Sequence, residues 1–465
     1  MTNRLFPFLS IAVISGIAVA CTSEESEDGA CVMDDDDCGA GLVCAEVLDG
    51  EPMCAPPVSI VGIVQNSNDD SPIEGALVQA RDANGAAAGT SAVSSADGRF
   101  ALEVPAMRDA EGTPLESTYT LAAQAHGFEL FPSALRQALP IDTGTAEDNG
   151  DGAYVVENAV TTIELIPLAG DLSGLGSIQG TVGGEACAGV LVVAESDDTG
   201  VVGWSNSDCV YTIFNVPAGI WTVSGYAAGL QVDSVEVTVA AGAQSSGADL
   251  TASSRPLSTV SGSVNIVNAP GGSVTSVILA VESTFVEGTS LAQIPPGLRV
   301  GDVTGAFSIE GVPDGRYVVL AAYENDFLVR DPDTSIAGTD IVHITVPDPV
   351  SGNTVSLPES FKITAALDVV FPGAEGPEAV DAGALVLEWM DDSSEDYYDV
   401  VVRDALGNEI WTATADRVTG ATTVTLVYDG PALEAGMYYQ FKATSVKDDI
   451  PISTTEDLKG VFYLR

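Results

Sequence analysis

The sequence predicts an all-β protein in which tandem antiparallel β-sandwiches follow a signal peptide and a small disulfide-rich segment. Three observations predict this class. Apolar and polar residues alternate in many short segments, such as "FALEV" and "YTIFNV", as in strands with one buried face. Clusters of Gly, Asp and Pro separate these segments. One strand–turn–strand pattern also recurs three times along 465 residues, a length that predicts several domains.

Residues 1–20 are predicted to form the signal peptide. Arg4 supplies a positive charge, Leu5 to Ala20 is nearly all apolar, and small residues gather at its end, as in secretory signals. The run is too short for a comfortable membrane span of about 20 apolar residues, and no later segment is long and apolar enough. We therefore expect an exported mature chain without a transmembrane span.

The signal peptide ends at Cys21. The motif Ala18-Val19-Ala20-Cys21 resembles a bacterial lipobox, which implies that a diacylglycerol is attached to the Cys21 thiol. The same small residues also fit ordinary cleavage to a soluble secreted chain, but lipidation leaves six of the seven cysteines to pair with one another. Thr22, not Asp, follows the cysteine, and the resemblance then implies an outer-membrane lipoprotein, facing either the periplasm or the exterior.

Residues 21–57 are interpreted as an acidic tether with four close cysteines, Cys31, Cys38, Cys44 and Cys54. In an exported chain this is typical of a two-disulfide segment, and three pairings are possible. It resembles cysteine-rich segments near the N-termini of myxobacterial surface lipoproteins. Zinc is the alternative, but Cys-x2-Cys spacing is absent. The run Asp34 to Asp37 could attract calcium, although a solvated charge run is favoured.

The charge of the chain excludes some classes of partner. Sixty-seven acidic residues face sixteen basic ones, for a net charge of -51. Binding to nucleic acid or to an anionic membrane surface requires clustered Lys and Arg, so neither is expected. The four lysines all lie in the last quarter of the chain, which suggests a distinct C-terminal module.

The repeated pattern consists of a turn, an alternating strand, Val-Pro, and an aromatic residue that opens a second strand. It occurs in "SADGRFALEVP", "NSDCVYTIFNVPAGIW" and "DVTGAFSIEGVPDGRY". The repeats resemble the carboxypeptidase regulatory-like domain, a prealbumin-like sandwich of the carbohydrate-binding-like fold. The resemblance implies three sandwiches, at 58–170, 175–253 and, in divergent form, 257–359. It implies a fold and no particular function.

Residues 360–465 carry a different pattern. The motif Leu433-x-x-Gly436-x-x-Tyr439-x-Phe441 resembles the tyrosine-corner strand of fibronectin type III domains. Trp389 resembles their core tryptophan. The resemblance implies a fourth β-sandwich.

Two cysteines of the second repeat stand at positions that hold other residues in the first. Cys187 replaces Ile73, and Cys209 replaces Gly98. Because both substitutions fall in neighbouring turns and strands of one repeat, we expect a disulfide between Cys187 and Cys209.

The sequence offers few groups for catalysis or metal binding. His126 is replaced by Ala228 in the second repeat, and His343 stands alone in a predicted strand. No motif of a hydrolase or metalloenzyme occurs, so we expect no catalytic site, no metal site and no cofactor. The segment Glu147 to Asn158 partly resembles a calcium loop, but Asn158 stands where a bidentate Glu is wanted. Weak calcium binding is the most that we expect there.

Aromatic residues could form a sugar-binding platform. Trp204 aligns with Val93 and Val300, and Trp221 aligns with two tyrosines, so both are expected in the core. Trp411 follows a turn and is the best exposed candidate.

Together these features predict a non-catalytic cell-envelope lipoprotein. Its lipid anchor and knotted tether would present four sandwiches as a rod, for adhesion, assembly or ligand binding. The alternative is a carbohydrate-binding module protein that acts on extracellular polysaccharide. The sequence does not name the envelope protein or polysaccharide that it would bind.

Mass spectrometry of non-reduced peptides tests the cysteine assignment. We expect one peptide that joins Cys187 to Cys209, because the aligned positions place both at one end of the same sandwich. The four N-terminal cysteines should then pair among themselves. A peptide joining either group to the other would show that the repeat alignment is wrong.

Overall fold

A computed structural model describes residues 31, 38–39, 41–82, 87–133, 137–150, 153–184, 187–197, 199–267, 275–286, 292–322, 329–330, 341–346, 353–364, 366–381, 383, 385–392, 395–456 and 458–464. Over these residues the protein is all-β, which confirms the predicted fold class. The only helices among the described residues are short 3-10 turns, at Thr143–Thr145, Ala159–Thr161, Leu172–Gly174 and Glu282–Thr284. No helix in the described ranges has the length and apolar character needed to cross a membrane.

The N-terminal segment contributes a two-stranded sheet of β1 (Val43–Ala45) and β2 (Met53–Ala55). The first sandwich contains β3 Val58–Asn66, β4 Leu77–Arg81, β5 Ala87–Val93, β6 Arg99–Val104, β7 Thr118–Gln124, β8 Ile141–Asp142, β9 Glu147–Asp148, β10 Tyr154–Val156 and β11 Thr162–Leu165. The second contains β12 Leu175–Thr181, β13 Leu191–Ser196, β14 Thr199–Ser205, β15 Val210–Pro217, β16 Gly219–Tyr226, β17 Val232–Asp233, β18 Val235–Val239, β19 Gln244–Ser246 and β20 Thr251–Ala252.

The third sandwich contains β21 Ser258–Val267, β22 Thr275–Val281, β23 Arg299–Val303, β24 Ala306–Val312, β25 Gly315–Ala322, β26 Val329–Arg330, β27 Val342–Val346, β28 Thr354–Ser356 and β29 Phe361–Thr364. The C-terminal sandwich contains β30 Val369–Phe371, β31 Glu378–Val380, β32 Val386–Met390, β33 Tyr397–Asp404, β34 Glu409–Asp416, β35 Thr423–Val427, β36 Tyr438–Lys447, β37 Ile450–Thr454 and β38 Val461–Leu464.

The three repeats share one unusual strand arrangement. The opening strand of each pairs antiparallel with the strand before Val-Pro, as β3 does with β6, β12 with β15 and β21 with β24. The same opening strand pairs in parallel with strands from the end of its own repeat, β10 and β11, β19, and β28 and β29. Each repeat therefore closes by returning its last strands to its first.

This closure changes the end of the third sandwich. The fibronectin type III resemblance predicts that the C-terminal module begins at residue 360. However, Phe361–Thr364 pairs in parallel with β21, as Thr162–Leu165 pairs with β3. Phe361 is fully buried in the core cluster of the third sandwich. Lys362, the first lysine of the chain, therefore lies on a strand of the third sandwich.

The second sandwich joins its strands into one seven-stranded sheet, ordered β18-β16-β13-β14-β15-β12-β19. The link is the pair of β14 and β15, where Trp204 lies opposite Thr212 and Ser205 opposite Tyr211. A disulfide joins Cys187 and Cys209, whose Cα atoms lie 5.2 Å apart. The bond therefore closes the same end of the sandwich at which β14 crosses to β15.

The C-terminal sandwich consists of the sheet β30-β32-β35 and a larger sheet ordered β31-β38-β36-β33-β34, with β37 on β36. Trp389 is fully buried between them, 5.4 Å from the Tyr398 ring and 6.3 Å from Phe441. The Tyr439 hydroxyl accepts a hydrogen bond from the Glu434 amide, at 2.8 Å. A tyrosine that bonds to backbone a few residues upstream is the contact of a tyrosine corner.

The sandwiches do not form the rod that we expected. Ala405, Tyr438 and Val461 of the C-terminal sandwich belong to the hydrophobic cluster of the first sandwich. Ala122 of the first sandwich belongs to the cluster of the third. Sandwiches that are not neighbours in sequence therefore contact each other, and the described sandwiches form a group. This packing is favourable because it removes apolar outer surfaces from water.

Phe361→Ala tests the boundary of the third sandwich. We expect the substitution to lower the free energy of unfolding by about 3 to 5 kcal/mol, the usual cost of a large cavity in a core. Val370→Ala, on the following strand and 38% exposed, is the control and should cost less than about 1 kcal/mol. Urea unfolding measures both. Equal effects of the two substitutions would contradict the assignment.

Candidate functional site

The four N-terminal cysteines form two disulfides, Cys31–Cys44 and Cys38–Cys54, with Cα atoms 5.8 Å and 5.5 Å apart. Cys44 and Cys54 lie opposite each other in the β1–β2 pair. Within the described ranges, the only cluster of potential metal ligands consists of Cys31, Cys38 and Cys54, which these bonds already occupy. Cys21 and Asp34 to Asp37 lie outside the described residues.

Arg108 attaches this disulfide segment to the first sandwich. Its amide donates to the Glu46 carbonyl at 2.8 Å, and its own carbonyl accepts from the Leu48 amide at 2.8 Å. The guanidinium donates to the carbonyls of Gly112 and Pro56. Arg108 is 1% exposed, and this burial lowers the pKa of its guanidinium. The segment is therefore bound to the sandwich rather than free of it.

The junction of the first and second sandwiches buries a polar face. Gln79, Arg81 and Gln124 lie on the outer face of the β4–β7 pair, and each is less than 5% exposed. The Arg81 guanidinium lies 4.3 Å from the ring centroid of Trp204, a cation–π contact. Burial lowers the pKa of Arg81 to about 9, so the side chain keeps its charge at neutral pH.

Trp204 is therefore buried for a reason other than the one expected. It is 2% exposed, but it packs in the cluster of the third sandwich with Leu191, not in the core of its own sandwich. The aligned residue Val93 is 62% exposed, so its assignment to the core is wrong. The position lies on an outer face, which is buried only where a neighbouring sandwich covers it.

Asn215 clamps the two sandwiches together. Its Nδ2 atom donates to the carbonyls of Ala125, at 3.2 Å, and Phe128, at 2.9 Å. Its Oδ1 atom accepts from the Gly127 amide at 2.7 Å. Asn215 reaches this turn because β15 carries a bulge, where the register shifts opposite Gly176 and Ile178. Its φ of 61° lies in the left-handed region, which Asn tolerates better than most residues.

The same junction recurs between the second and third sandwiches. β24 carries the equivalent bulge, with Gly311 in the position of Asn215 and a φ of 69°. The carbonyl of Gly311 accepts from the Gly229 amide at 2.9 Å. Gly229 is the equivalent of Gly127, because each lies in the turn that follows the aromatic strand of its repeat. A Cβ on Gly311 would come within 2.9 Å of that nitrogen, so glycine permits the close approach.

A polar network also joins the second and third sandwiches. The Glu195 carboxylate accepts from the Tyr226 hydroxyl at 3.0 Å and from Ser283 Oγ at 2.7 Å. The Tyr226 ring meets the Tyr317 ring edge-on at 6.0 Å. Burial, with the nearby Glu195 charge, raises the pKa of Tyr226. Arg255 pairs with Asp233 of the second sandwich and Asp314 of the third, at 3.3 Å and 2.9 Å.

A cleft of about 740 Å³ opens where the first three sandwiches meet. Its walls come from the turn after β7, from the connection between the first two sandwiches, and from β14 and the bulge of β15. Leu168 of that connection donates to the Gly127 carbonyl at 2.9 Å, and Glu129 donates to Ile166 at 2.8 Å. The clamp of Asn215 and these bonds hold the walls of the cleft in place.

The other candidate residues have structural partners. Trp221 is 6% exposed, as expected, and its Nε1 donates to the Pro217 carbonyl. Trp411 is half-buried, with its ring edge-on to Tyr428 at 4.8 Å and its Nε1 bonded to Asp429 at 3.1 Å. It therefore offers less ring surface than a fully exposed platform.

The two histidines belong to different sandwiches. His126 is exposed on the turn that Asn215 clamps. His343, on β27 of the third sandwich, lies with its Nδ1 atom 2.7 Å from Glu282 Oε1, and Arg316 binds the other oxygen of that carboxylate at 2.9 Å. The three exposed or half-exposed groups form an ion-pair cluster at the surface.

The acidic segment Glu147 to Asn158 is a hairpin in the described positions, with Tyr154 opposite Asp148. Glu157 is bound to Arg99 at 3.0 Å, and the Asn158 side chain caps a 3-10 turn. Asp151 and Gly152, two positions on which the calcium interpretation depended, lie outside the described residues.

Sequence reasoning missed Arg108, Asn215 and Gln124. A signal for Asn215 was present, because "YTIFNVP" and "FSIEGVP" place Asn and Gly at one repeat position, and these are the residues that adopt positive φ most readily. Nothing in the local pattern marked the other two.

No family model matches this chain, and no curated protein matches it. Among solved structures, the chain is similar to the Bacillus anthracis TIE protein, with 11% identity, a TM-score of 0.16, and coverage of 91% of this chain and 73% of that one. It is similar to BcpA, the major pilin subunit of Bacillus cereus, with 10% identity, a TM-score of 0.17, and coverage of 66% and 99%. It is also similar to a DUF3823 family protein from Bacteroides ovatus, with 12% identity, a TM-score of 0.23, and coverage of 45% and 100%.

Asn215→Gly tests the clamp. Glycine keeps the backbone conformation but removes the three side-chain hydrogen bonds. We expect hydrogen exchange at the Gly127 amide to accelerate by about five-fold, since one hydrogen bond contributes about 1 kcal/mol. The Gly229 amide, at the equivalent junction, is the internal control and should be unaffected. Unchanged protection at Gly127 would rule out the clamp.

Proposed function

We propose that this chain is a non-catalytic cell-envelope lipoprotein, anchored through Cys21, that presents its grouped sandwiches for adhesion, assembly or ligand binding. The observation that carries the proposal is the attachment of the disulfide segment to the first sandwich through Arg108. Cys21 precedes Cys31 by ten residues, which span at most about 35 Å when fully extended. A lipid on Cys21 would therefore hold the folded sandwiches close to the bilayer.

The cysteines support an exported location. All six cysteines that follow Cys21 form disulfides, and such bonds persist mainly in oxidising compartments. The signal-peptide pattern of residues 1–20 agrees with the same location. An outer-membrane anchor follows from Thr22 after the lipobox-like motif and belongs to the proposal.

A presenting role suits the way in which polar groups are used. Glu195 and Arg255 bind partners across the junction of the second and third sandwiches. Glu282 binds Arg316 and His343 within the third sandwich. A catalytic site needs a nucleophile or base directed at an open position. We therefore assign these groups to assembly of the structure and not to a reaction.

The alternative function, binding of extracellular polysaccharide, would use the half-buried pair Trp411 and Tyr428 on the C-terminal sandwich. Binding of the purified chain to a glycan array distinguishes this alternative from the first proposal. If the chain binds a glycan saturably and Trp411→Ala abolishes this binding, polysaccharide binding replaces adhesion or assembly as the proposed function. Binding to no glycan would leave the first proposal in place.

Cys21→Ser tests the anchor. We expect the wild-type chain in the membrane fraction and the variant in the soluble fraction. The reason is that the lipid on Cys21 is the only membrane attachment that we propose. Ser23→Ala, two residues away, is the control and should stay in the membrane fraction. Mass spectrometry of the N-terminal peptide should show a diacylglycerol on Cys21. A wild-type chain that is already soluble would disprove the lipoprotein assignment.

A further inference from the structure

The cleft at the meeting point of the first three sandwiches keeps apolar surface partly uncovered. Eight of its apolar lining residues are half-buried, and they come from two sandwiches and the connection between them; among them are Phe128, Leu130, Leu168, Leu172, Val202 and Phe214. Its volume of about 740 Å³ falls in the range of about 300 to 1,000 Å³ for small-molecule sites. Such sites also occur preferentially between domains.

One polar donor faces this apolar surface without a partner. Gln124 lines the cleft, is 3% exposed, and its Nε2 atom has no hydrogen-bond partner. Leaving a buried amide donor unpaired is unfavourable by about 1 to 3 kcal/mol. By contrast, the Asn215 amide, which also lines the cleft, is fully used by the turn at Ala125 to Phe128. Gln124 thus has an unused donor at the wall of the cleft.

The charges around the cleft exclude an anion. Glu129 and Asp171 are its charged lining residues, and no Arg, Lys or His lines it within the described chain. The net charge of -51 opposes an anion further. The donor at Gln124 requires an acceptor, and the remaining walls require apolar surface.

We propose that the cleft binds one uncharged, largely apolar small molecule that offers a carbonyl or ether oxygen to Nε2 of Gln124. The connection between the first two sandwiches supplies part of the wall, and the bulge of β15 turns Phe214 and Asn215 toward this side. The site therefore exists only when the first and second sandwiches are clamped together. This inference does not depend on the lipid anchor.

Fluorescence titration of the purified full chain with Nile red, a neutral apolar dye with a ring carbonyl, tests the proposal. We expect saturable binding of one dye per chain. Gln124→Leu should weaken binding by about five-fold, the effect of one lost hydrogen bond of about 1 kcal/mol. Val202→Trp, which fills the cleft, should weaken it by more than ten-fold.

Two controls separate the role of Gln124 from general damage. Gln79→Leu makes the same change on the same sheet face, but Gln79 does not line the cleft and bonds instead to the Ser205 carbonyl at 3.5 Å. It should leave the dye affinity within two-fold of the wild type. Pyrene, which is apolar and has no acceptor, should bind wild type and Gln124→Leu alike. Equal loss with both glutamine variants, or with both probes, would overturn the proposed donor.

Photolabelling of the wild-type chain with benzophenone, a neutral ketone, requires no variant and locates the site directly. We expect crosslinks on Phe128 to Pro132, Leu168 to Leu172, or Phe214, reduced by excess Nile red. Crosslinks spread over other surfaces, or the absence of saturable labelling, would show that the cleft is not a binding site.

Discussion

The arrangement of the sandwiches depends on one backbone constraint, the bulge before Val-Pro in the second and third repeats. Side chains of a strand alternate between two faces, and an added residue re-aims the next side chain. In β15 this turns Asn215 toward the first sandwich, and in β24 it brings the Gly311 carbonyl to the Gly229 turn of the second sandwich. The strain of a left-handed non-glycine residue, about 1 to 2 kcal/mol, is offset at Asn215 by its three hydrogen bonds.

Arginines lie at the junctions of a chain that has few basic residues. Arg108 joins the disulfide segment to the first sandwich, Arg81 lies over Trp204 between the first and second, and Arg255 joins the second to the third. Guanidinium groups suit such positions because they donate several hydrogen bonds in fixed directions and stack on aromatic rings. In a molecule of net charge -51, each also reduces repulsion where acidic sandwiches meet.

The polar outer face of the first sandwich links assembly to the cleft. An isolated sandwich would leave Gln79, Arg81 and Gln124 in water. Docking of the second sandwich buries all three, and it provides contacts for Gln79 and Arg81. Gln124 lies at the edge of the contact between the two sandwiches, where the cleft begins. The cleft and its unpaired donor therefore arise together where the first two sandwiches meet.

Strand alternation, the turns and the three repeats were readable from the sequence, because each depends on local periodicity that a sandwich imposes on its own strands. The substitutions at Ile73 and Gly98 likewise pointed to the pair Cys187 and Cys209. Only the tertiary structure decided that Trp204 is buried while Val93 is exposed, that Phe361 belongs to the third sandwich, and that Gln124 faces a cleft. Alternation tells which side chains leave their own core, but whether another sandwich then covers them depends on contacts between residues far apart in the chain.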